Sequence, residues 1–412
     1  MATVVPFTGM RPRQELADKV AAPPYDVVSS EKARALADGN PLSFLHISKP
    51  EIDLDPSVDV YSDAVYDRAR ANMDRSLAEG IFTPDPLPCF YCYRQTLGDH
   101  CQTGIVALVS ANEYENGTIK KHELTRPAKE NDRTRHMAAV RAQVGPVFLT
   151  YRADATLKDR VSRSTAGTPV NDFVVEGVRH QLWIMDDTSV LESVTNLFAA
   201  VPVLFVADGH HRSAAAVRYR AQCRDANPDH TGTEPYNYFM AVLFPHDELN
   251  ILGYHRVIRD LGAYDVPGFL VALGEVFHIT PSQAPVTPMR PQVFGLYLAG
   301  HWYALALKDQ YQPATDVVSS LDVAILHDHV LTPLLAIRDP RTDDRIDFIG
   351  GARGLAALAE AVDNGGYAAA FACHPVTIEQ LIAIAEEDRL MPPKSTWFEP
   401  KLKSGLVMHW LG

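Results

Sequence analysis

The chain has 412 residues, 46% of them hydrophobic and 22% charged, with a formal net charge of −13. This composition excludes a disordered polymer and supplies enough apolar surface for two domains or one elaborated α/β domain. The acidity argues against nonspecific binding to DNA, RNA or anionic membrane, but a small anionic ligand in a local basic pocket stays compatible with it.

The opening MATVVPFTGMRPRQ has no long apolar segment, and no run of about 18 apolar residues occurs anywhere, so a cytoplasmic protein without a membrane span is expected. The first 50 residues are irregular and proline-rich except for a helix over Ser30–Asp38, which Ser29 or Ser30 would cap and Gly39-Asn40-Pro41 would stop. VDVYSDAVYDRARANMDRSLAEGIF carries apolar residues at helical spacing and ends at Gly80. CFYCYRQT and QTGIVALVSANEY read as strands joined across LGDH. The Cys89–Cys92 CxxC lies in the first of these. With no second CxxC and only five cysteines, it reads as strand thiols rather than as zinc ligands or a disulfide framework. Asn116-Gly117 marks a turn. The stretch from Lys120 to Arg141 then holds seven Lys/Arg against three Asp/Glu. Its second half is predicted as a helix from near Pro127. PVFLTYR is a strand, FVVEGVRHQLWIMDD a strand pair, and TSVLESVTNLFAAV a helix that Thr188 or Ser189 would cap.

PVLFVA is next, a short apolar run fit for a buried strand, followed by DGHHR and a helix, SAAAVRYRAQC. NYFMAVLFP and ILGYHRVI are further strands. From about Val266 the pattern restarts: helix GFLVALGEVF, hairpin VFGLYLAGHWYALAL, helix SSLDVAILHDHVLTPLLAI, helix ARGLAALAEAV, strand YAAAFACHP, helix IEQLIAIAEE and the loop MPPKSTWFEPKLKSGL. Helices and strands interleave throughout, which gives an α/β (α+β) class with a mixed sheet and flanking helices. The expected division is 1–265, carrying the charged block and DGHHR, and 266–412, a C-terminal α/β region closing the site.

The junction Asp208-Gly209-His210-His211-Arg212-Ser213 is the most informative stretch. Amides at a helix start point outward and the helix dipole favours an anion. Gly209 permits a tight turn, Arg212 offers a guanidinium fork for phosphate, and the two imidazoles add donors. Asp208 at the strand end is placed to bind a metal or a hydroxyl. Zinc on His210 and His211 fits less well, because adjacent side chains diverge and no HxxxH spacing accompanies them. In KKHELTR, Glu123 is the only carboxylate, and Lys121, His122, Thr125 and Arg126 surround it as candidate substrate contacts. Lys129, Arg133 and Arg135 read as a solvated helix face with Glu130 and Asp132 as partners. Lys394 in the C-terminal loop and Asp26 in APPYDV are further candidate substrate contacts. His46, His255, His327, His329 and His374 sit in apolar segments and read as structural.

DGHHR followed by a small-residue helix resembles the ParB/sulfiredoxin-like superfamily, and in particular its free serine kinases. At full length the chain resembles the domain of unknown function 1015 family, through APPYDV, NPLSFLHISKPE, KKHELTRPAKENDRTRH, ADGHHR and MPPKSTWFEPKLKSGL. The resemblance implies a ParB/sulfiredoxin-like core with large additions and a turn at Gly209–Ser213 that binds a nucleotide or another phosphate. It implies Glu123 as general base, and a phosphotransferase acting on a small hydroxylated metabolite, with free L-serine giving O-phosphoserine as the leading case. Asp208 would hold Mg2+ or assist proton transfer, and ATP, ADP or pyrophosphate would be the donor. There is no GxxxxGK[ST] loop and no protein-kinase motif set. The expected partners are therefore a small-molecule substrate and a phosphate donor, not nucleic acid or membrane, and a homodimer is compatible with this. Two other classes stay open: a ParB-like nucleotide-binding switch without turnover, and a metal-dependent hydrolase using His210, His211 and Asp208.

Overall fold

A computed structural model describes residues 1–313 and 316–412. The chain divides into two compact units. One comprises Met1–Lys121, Thr125–Leu249 and Pro400–Gly412, the other His122–Leu124 and Asn250–Glu399. The division falls earlier than the expected 265/266 boundary. The strands Ile251–Leu252 and Tyr254–Ile258 pair with Trp397–Phe398 and with Ile346–Gly350 and Ala369–Ala372, which ties them to the second unit, and the last thirteen residues belong to the first.

The first unit is built on a nine-stranded mixed sheet. Its strands are β1 (Val4–Val5), β2 (Phe90–Leu97), β3 (His100–Ser110), β4 (Ile119–Lys120), β5 (Val147–Tyr151), β6 (Asn171–Val175), β7 (Val178–Met185), β8 (Leu204–Asp208) and β9 (Tyr238–Pro245). They run in the order β4-β8-β5-β9-β3-β2-β7-β6, with β1 on β3. The pairs β8–β4 and β9–β5 are parallel and the rest antiparallel. β5 is buried at every residue and β9 at all but its first. Their near-continuous apolar sequences are what a strand covered on both faces requires. Leu149, Val206, Phe239 and Leu243 form part of one core cluster with Val194 and Phe198. Each such buried side chain contributes roughly 1.5–3 kcal/mol.

Helix α1 (Asp63–Ala78) packs on α2 (Pro127–Val140), and α2, α3 (Thr188–Ala199) and α4 (His210–Ala226) flank this sheet. Pro127 sits in the first turn of α2, where its missing N–H costs nothing. The serine and alanines of α4 are small enough for close packing: Ser213, Ala215 and Ala216 are buried, and the Thr134 hydroxyl of α2 donates to the Ala215 carbonyl at 3.5 Å.

Several elements depart from the sequence reading. β3 ends at Ser110, and Ala111–Glu115 is helical, as expected for a segment free of β-branched residues. α3 is capped by Asp187, whose carboxylate accepts from Ser189 N and Val190 N at 2.9 and 3.2 Å, in place of Thr188 or Ser189. α4 begins at His210 and not at Ser213. The long helix expected around SSLDVAILHDHVLTPLLAI is a short turn of helix, Asp322–Leu326, followed by a π-helical turn, His327–Leu331, before Pro333. The amino-terminal region also hides a strand, Gly9–Pro12, paired with Phe82–Pro84 and Met408–Trp410. Ser29 does cap Ser30–Ala37.

In the second unit, six antiparallel strands run in the order Phe277–Ser282, His301–Leu307, Val293–Leu298, Ala369–Ala372, Tyr254–Ile258, Ile346–Gly350. No described helix is long and apolar enough to cross a membrane. Cys89 and Cys92 are buried free thiols, and neither joins a cluster of metal-ligating side chains among the described residues.

Candidate functional site

β8 delivers Asp208 to the end of the sheet, and the chain turns into α4 through Gly209, which has φ 95° and ψ 28°. A side chain there would be strained by conformation alone. Gly209 is the N-cap, and no side chain caps this end of the helix. The Gly209 N–H donates to Asp208 Oδ1 at 2.7 Å, and Asp208 Oδ2 accepts from Lys401 Nζ at 2.8 Å. Burial alone would raise the Asp208 carboxyl. The Lys401 ammonium and the Arg212 guanidinium overcome this and hold it well below the usual carboxylate range. Asp208 is thus a fixed anion at neutral pH and a weak proton acceptor.

Arg212 lies one turn into α4. Its Nη1 donates to the Pro146 carbonyl and its Nη2 lies 3.4 Å from Asp26 Oδ2. The fork expected to grip phosphate is therefore engaged within the protein. Nε is buried and without a hydrogen-bond partner among the described residues, and each Nη keeps a second hydrogen beyond the bond described. Ser213 is likewise committed: its N–H and its hydroxyl both donate to the Gly209 carbonyl, at 2.9 and 3.2 Å. That makes it part of the helix, not a side-chain contact to an anion. His211 Nε2 accepts from the Arg126 N–H at 3.0 Å. The end of the HELTR block and the DGHHR turn therefore meet.

These neighbours extend into a cleft holding about 550 Å³ of non-atom space, solvent-open mouth included. Tyr25 and Arg212 line it together with Arg133 and Ser48. Arg133 is not on a solvated face. Its guanidinium lies 4.0 Å from the centre of the Tyr25 ring, its Nη1 donates to the Ser48 carbonyl at 3.3 Å, and it pairs with Asp132 at 2.9 Å. His136, also in the lining, is held neutral: burial above all, then Arg133, lowers it to about 4.

A profile of the family described as "Protein of unknown function (DUF1015)" matches residues 4–324. The chain belongs to that family. No curated protein matches the sequence. Among solved structures, a free serine kinase in complex with AMP is similar at 12% identity and a TM-score of 0.35, over 71% of this chain and 86% of that one. A conserved hypothetical protein from Pyrococcus furiosus is similar at 12% identity and a TM-score of 0.36, over 72% and 93%. SbnI from Staphylococcus aureus, truncated at its C-terminus, is similar at 11% identity and a TM-score of 0.36, over 72% and 84%.

The other residues singled out in this DUF1015 chain are placed as follows. Lys121 lies 5.1 Å from the ring centre of Tyr114. The Thr125 hydroxyl donates to Glu130. Glu123 and His122 group with the second unit, as does Lys394. There the His122 carbonyl accepts from Met391 N at 2.8 Å, and His122 Nε2 is 3.4 Å from Thr396 Oγ1. Burial lowers the Arg256 guanidinium, and Glu123 is among the charges opposing that shift. Lys394, at φ 57°, sits 5.8 Å from the centre of the Tyr254 ring. Sequence reasoning missed Lys401 and Ser48 and assigned Arg133 to solvent. The signals were present: KLKSGL and NPLSFLHISKPE both belong to blocks that carry the family resemblance.

Proposed function

We propose that the protein is a phosphotransferase that phosphorylates a hydroxyl of a small metabolite, with ATP, ADP or pyrophosphate as donor. The observation that carries this reading is the turn at Asp208–Arg212. An uncapped helix start follows a left-handed glycine, with a fixed carboxylate paired to Lys401 beside it and the guanidinium of Arg212 one turn on. Helix-start amides and adjacent cations suit phosphate oxygens, and phosphoryl transfer relies mainly on positioning and charge stabilisation.

In the reaction, the acceptor hydroxyl loses its proton to a base as its oxygen bonds to the terminal phosphorus. The bond from that phosphorus to the donor's bridging oxygen breaks, releasing ADP, AMP or inorganic phosphate. Glu123, the base that the family resemblance implies, is proposed for that role in preference to Asp208, which Lys401 and Arg212 hold ionised. Amides at Gly209–Arg212 and the imidazoles of His210 and His211 would bind donor phosphates, and Arg126 would orient His211 through its N–H. The site fits Mg2+ in one respect: this ion is commonly held by one or two carboxylates plus substrate phosphates. Asp208 is the ionised carboxylate that would hold it, and the ion would offset donor charge. Free L-serine is the first acceptor to test, and Lys121, Thr125, Lys394 and Asp26 are the candidate contacts to it.

The test is phosphorus NMR of each donor with Mg2+ against small alcohols, hydroxy acids and amino acids. An acceptor-dependent phosphate-ester signal is expected. Donor that stays intact with every acceptor, or is hydrolysed regardless of acceptor, removes the reading. Glu123→Gln should lower turnover about 100- to 10,000-fold with little change in donor affinity.

A further inference from the structure

The cleft beside Arg212 has its own chemistry. Its floor is apolar, formed by Met137, Val144, Val147, Phe239 and Met240. Three hydrogen-bonding atoms in its lining are buried and have no partner among the described residues: Tyr25 Oη, Ser48 Oγ and Arg212 Nε. Ser48 is 2% exposed. Buried polar atoms are nearly always hydrogen-bonded in native proteins, so three in one cleft point to a ligand that satisfies them. Arg212 Nε can only donate, and the two hydroxyls can donate as well. The matching group is rich in acceptors.

Charge narrows the choice. Arg212 faces Asp26 at 3.4 Å, and Arg133 pairs with Asp132 at 2.9 Å. Each cation of the cleft thus already has a carboxylate. Any anion then adds net negative charge, and a phosphate monoester, at about −1.5 to −2 at neutral pH, adds more of it than the single charge of a carboxylate. A single carboxylate can take the Arg212 Nε–H as a charge-assisted bond and the two hydroxyls as further donors. The apolar floor needs more than a carboxylate to cover it.

We propose that this cleft binds the carboxylate of a small acid with an apolar body, held by Tyr25, Ser48 and Arg212. It stands apart from the phosphotransferase reading and from the acceptor proposed there. Binding can be tested without any donor.

The experiment is calorimetric titration and saturation-transfer NMR on the full chain, with 4-methylpentanoate and phenylacetate as probes. Phenylacetamide, phenylphosphonate and L-serine are the comparators. Both carboxylates should bind saturably, and at least ~10-fold more tightly than each comparator: phenylacetamide loses the charge-assisted bond, L-serine lacks the apolar body, and phenylphosphonate brings the larger charge. Tyr25→Phe and Ser48→Ala should each weaken the carboxylates about 2- to 10-fold. In the ligand-free protein neither change should lower Tm, because neither hydroxyl has a protein partner to lose. Absence of saturable carboxylate binding overturns the proposal, as does amide, phosphonate or serine binding as tight as phenylacetate. So does parent-like affinity in both variants. Failure here alongside a positive phosphorus NMR screen removes this site and leaves the phosphotransferase reading; the reverse result leaves the site without that reaction.

Discussion

Breaking the Asp208–Lys401 pair should cost stability because it joins positions 193 residues apart and is shielded on both sides. At the observed 2.8 Å separation, the gross attraction at an effective dielectric of ~20 is about 6 kcal/mol. Desolvation takes back most of it. Exposed pairs retain about 0.2–1 kcal/mol, whereas hydrogen bonds to charged groups retain about 1.5–3 kcal/mol. Here the side chains are 15% and 28% exposed. The pair therefore belongs nearer the second range, and a coupling of about 2 kcal/mol is expected. The assay is a double-mutant cycle by urea denaturation at pH 7, with Asp208→Asn, Lys401→Met and the double variant. Asparagine keeps the oxygen that accepts from Gly209, and methionine keeps much of the lysine stem. Each single variant should lose about 2–3 kcal/mol, and the double variant should lose clearly less than the two losses combined. A coupling under ~0.5 kcal/mol would refute the reasoning, since it would mean the pair behaves as a solvent-exposed contact. The pH dependence provides a second check. The folded Asp208 carboxyl lies below its unfolded value of 3.8, so its contribution is fully present above that pH and is lost as pH falls through the folded value. In Lys401→Met, carbon-13 NMR should show the carboxyl titrating at higher pH, because burial persists while the larger opposing charge is gone.

Mild acid should weaken the first unit through its buried histidines. Burial lowers His136 and His409 to about 4 and His180 to about 3. The folded state then holds them neutral while the unfolded state binds protons below about 6.5. Stability should be full above that pH and fall toward pH 4, by up to about 2 kcal/mol per histidine at pH 5; a urea midpoint unchanged from pH 7 to pH 5 would contradict this. Gly209→Ala should cost about 1–2 kcal/mol, because φ is 95° and the new carbon would lie 3.4 Å from Val147 Cα and 3.5 Å from Arg212 Cζ. Phosphate-donor affinity should drop with it, and wild-type values for both would show that the turn needs no glycine. Arg212→Lys should lower Tm as well as donor affinity, since the lost fork serves Pro146 and Asp26; weaker donor binding at unchanged Tm would place the fork on the ligand instead.

The parts of this protein visible in its sequence are those coded by short-range pattern. The sheet interior was readable because β5, β8 and β9 are short apolar runs bounded by turn residues, and the DGHHR junction because a glycine and a charge cluster follow such a run directly. What was not readable depends on where distant segments meet. Nothing local to KLKSGL says that Lys401 reaches Asp208, or that Ala22 and Ser404 form a bridge that brings APPYDV beside the C-terminal block. Nor does periodicity separate Arg133, stacked on Tyr25, from Arg135, which is bonded to Asp63 on an exposed face of the same helix. The same long-range contacts decide chemistry. From sequence alone, a carboxylate at the end of a strand can serve as base, metal ligand or ion-pair partner. Once Lys401 and Arg212 are beside it, Asp208 holds its charge too firmly to take a proton at neutral pH. Arg212 changes in the same way: an arginine in a phosphate-like motif suggests a grip on the ligand, but its Nη1 and Nη2 each hold a neighbouring segment, while Nε stays without a partner among the described residues.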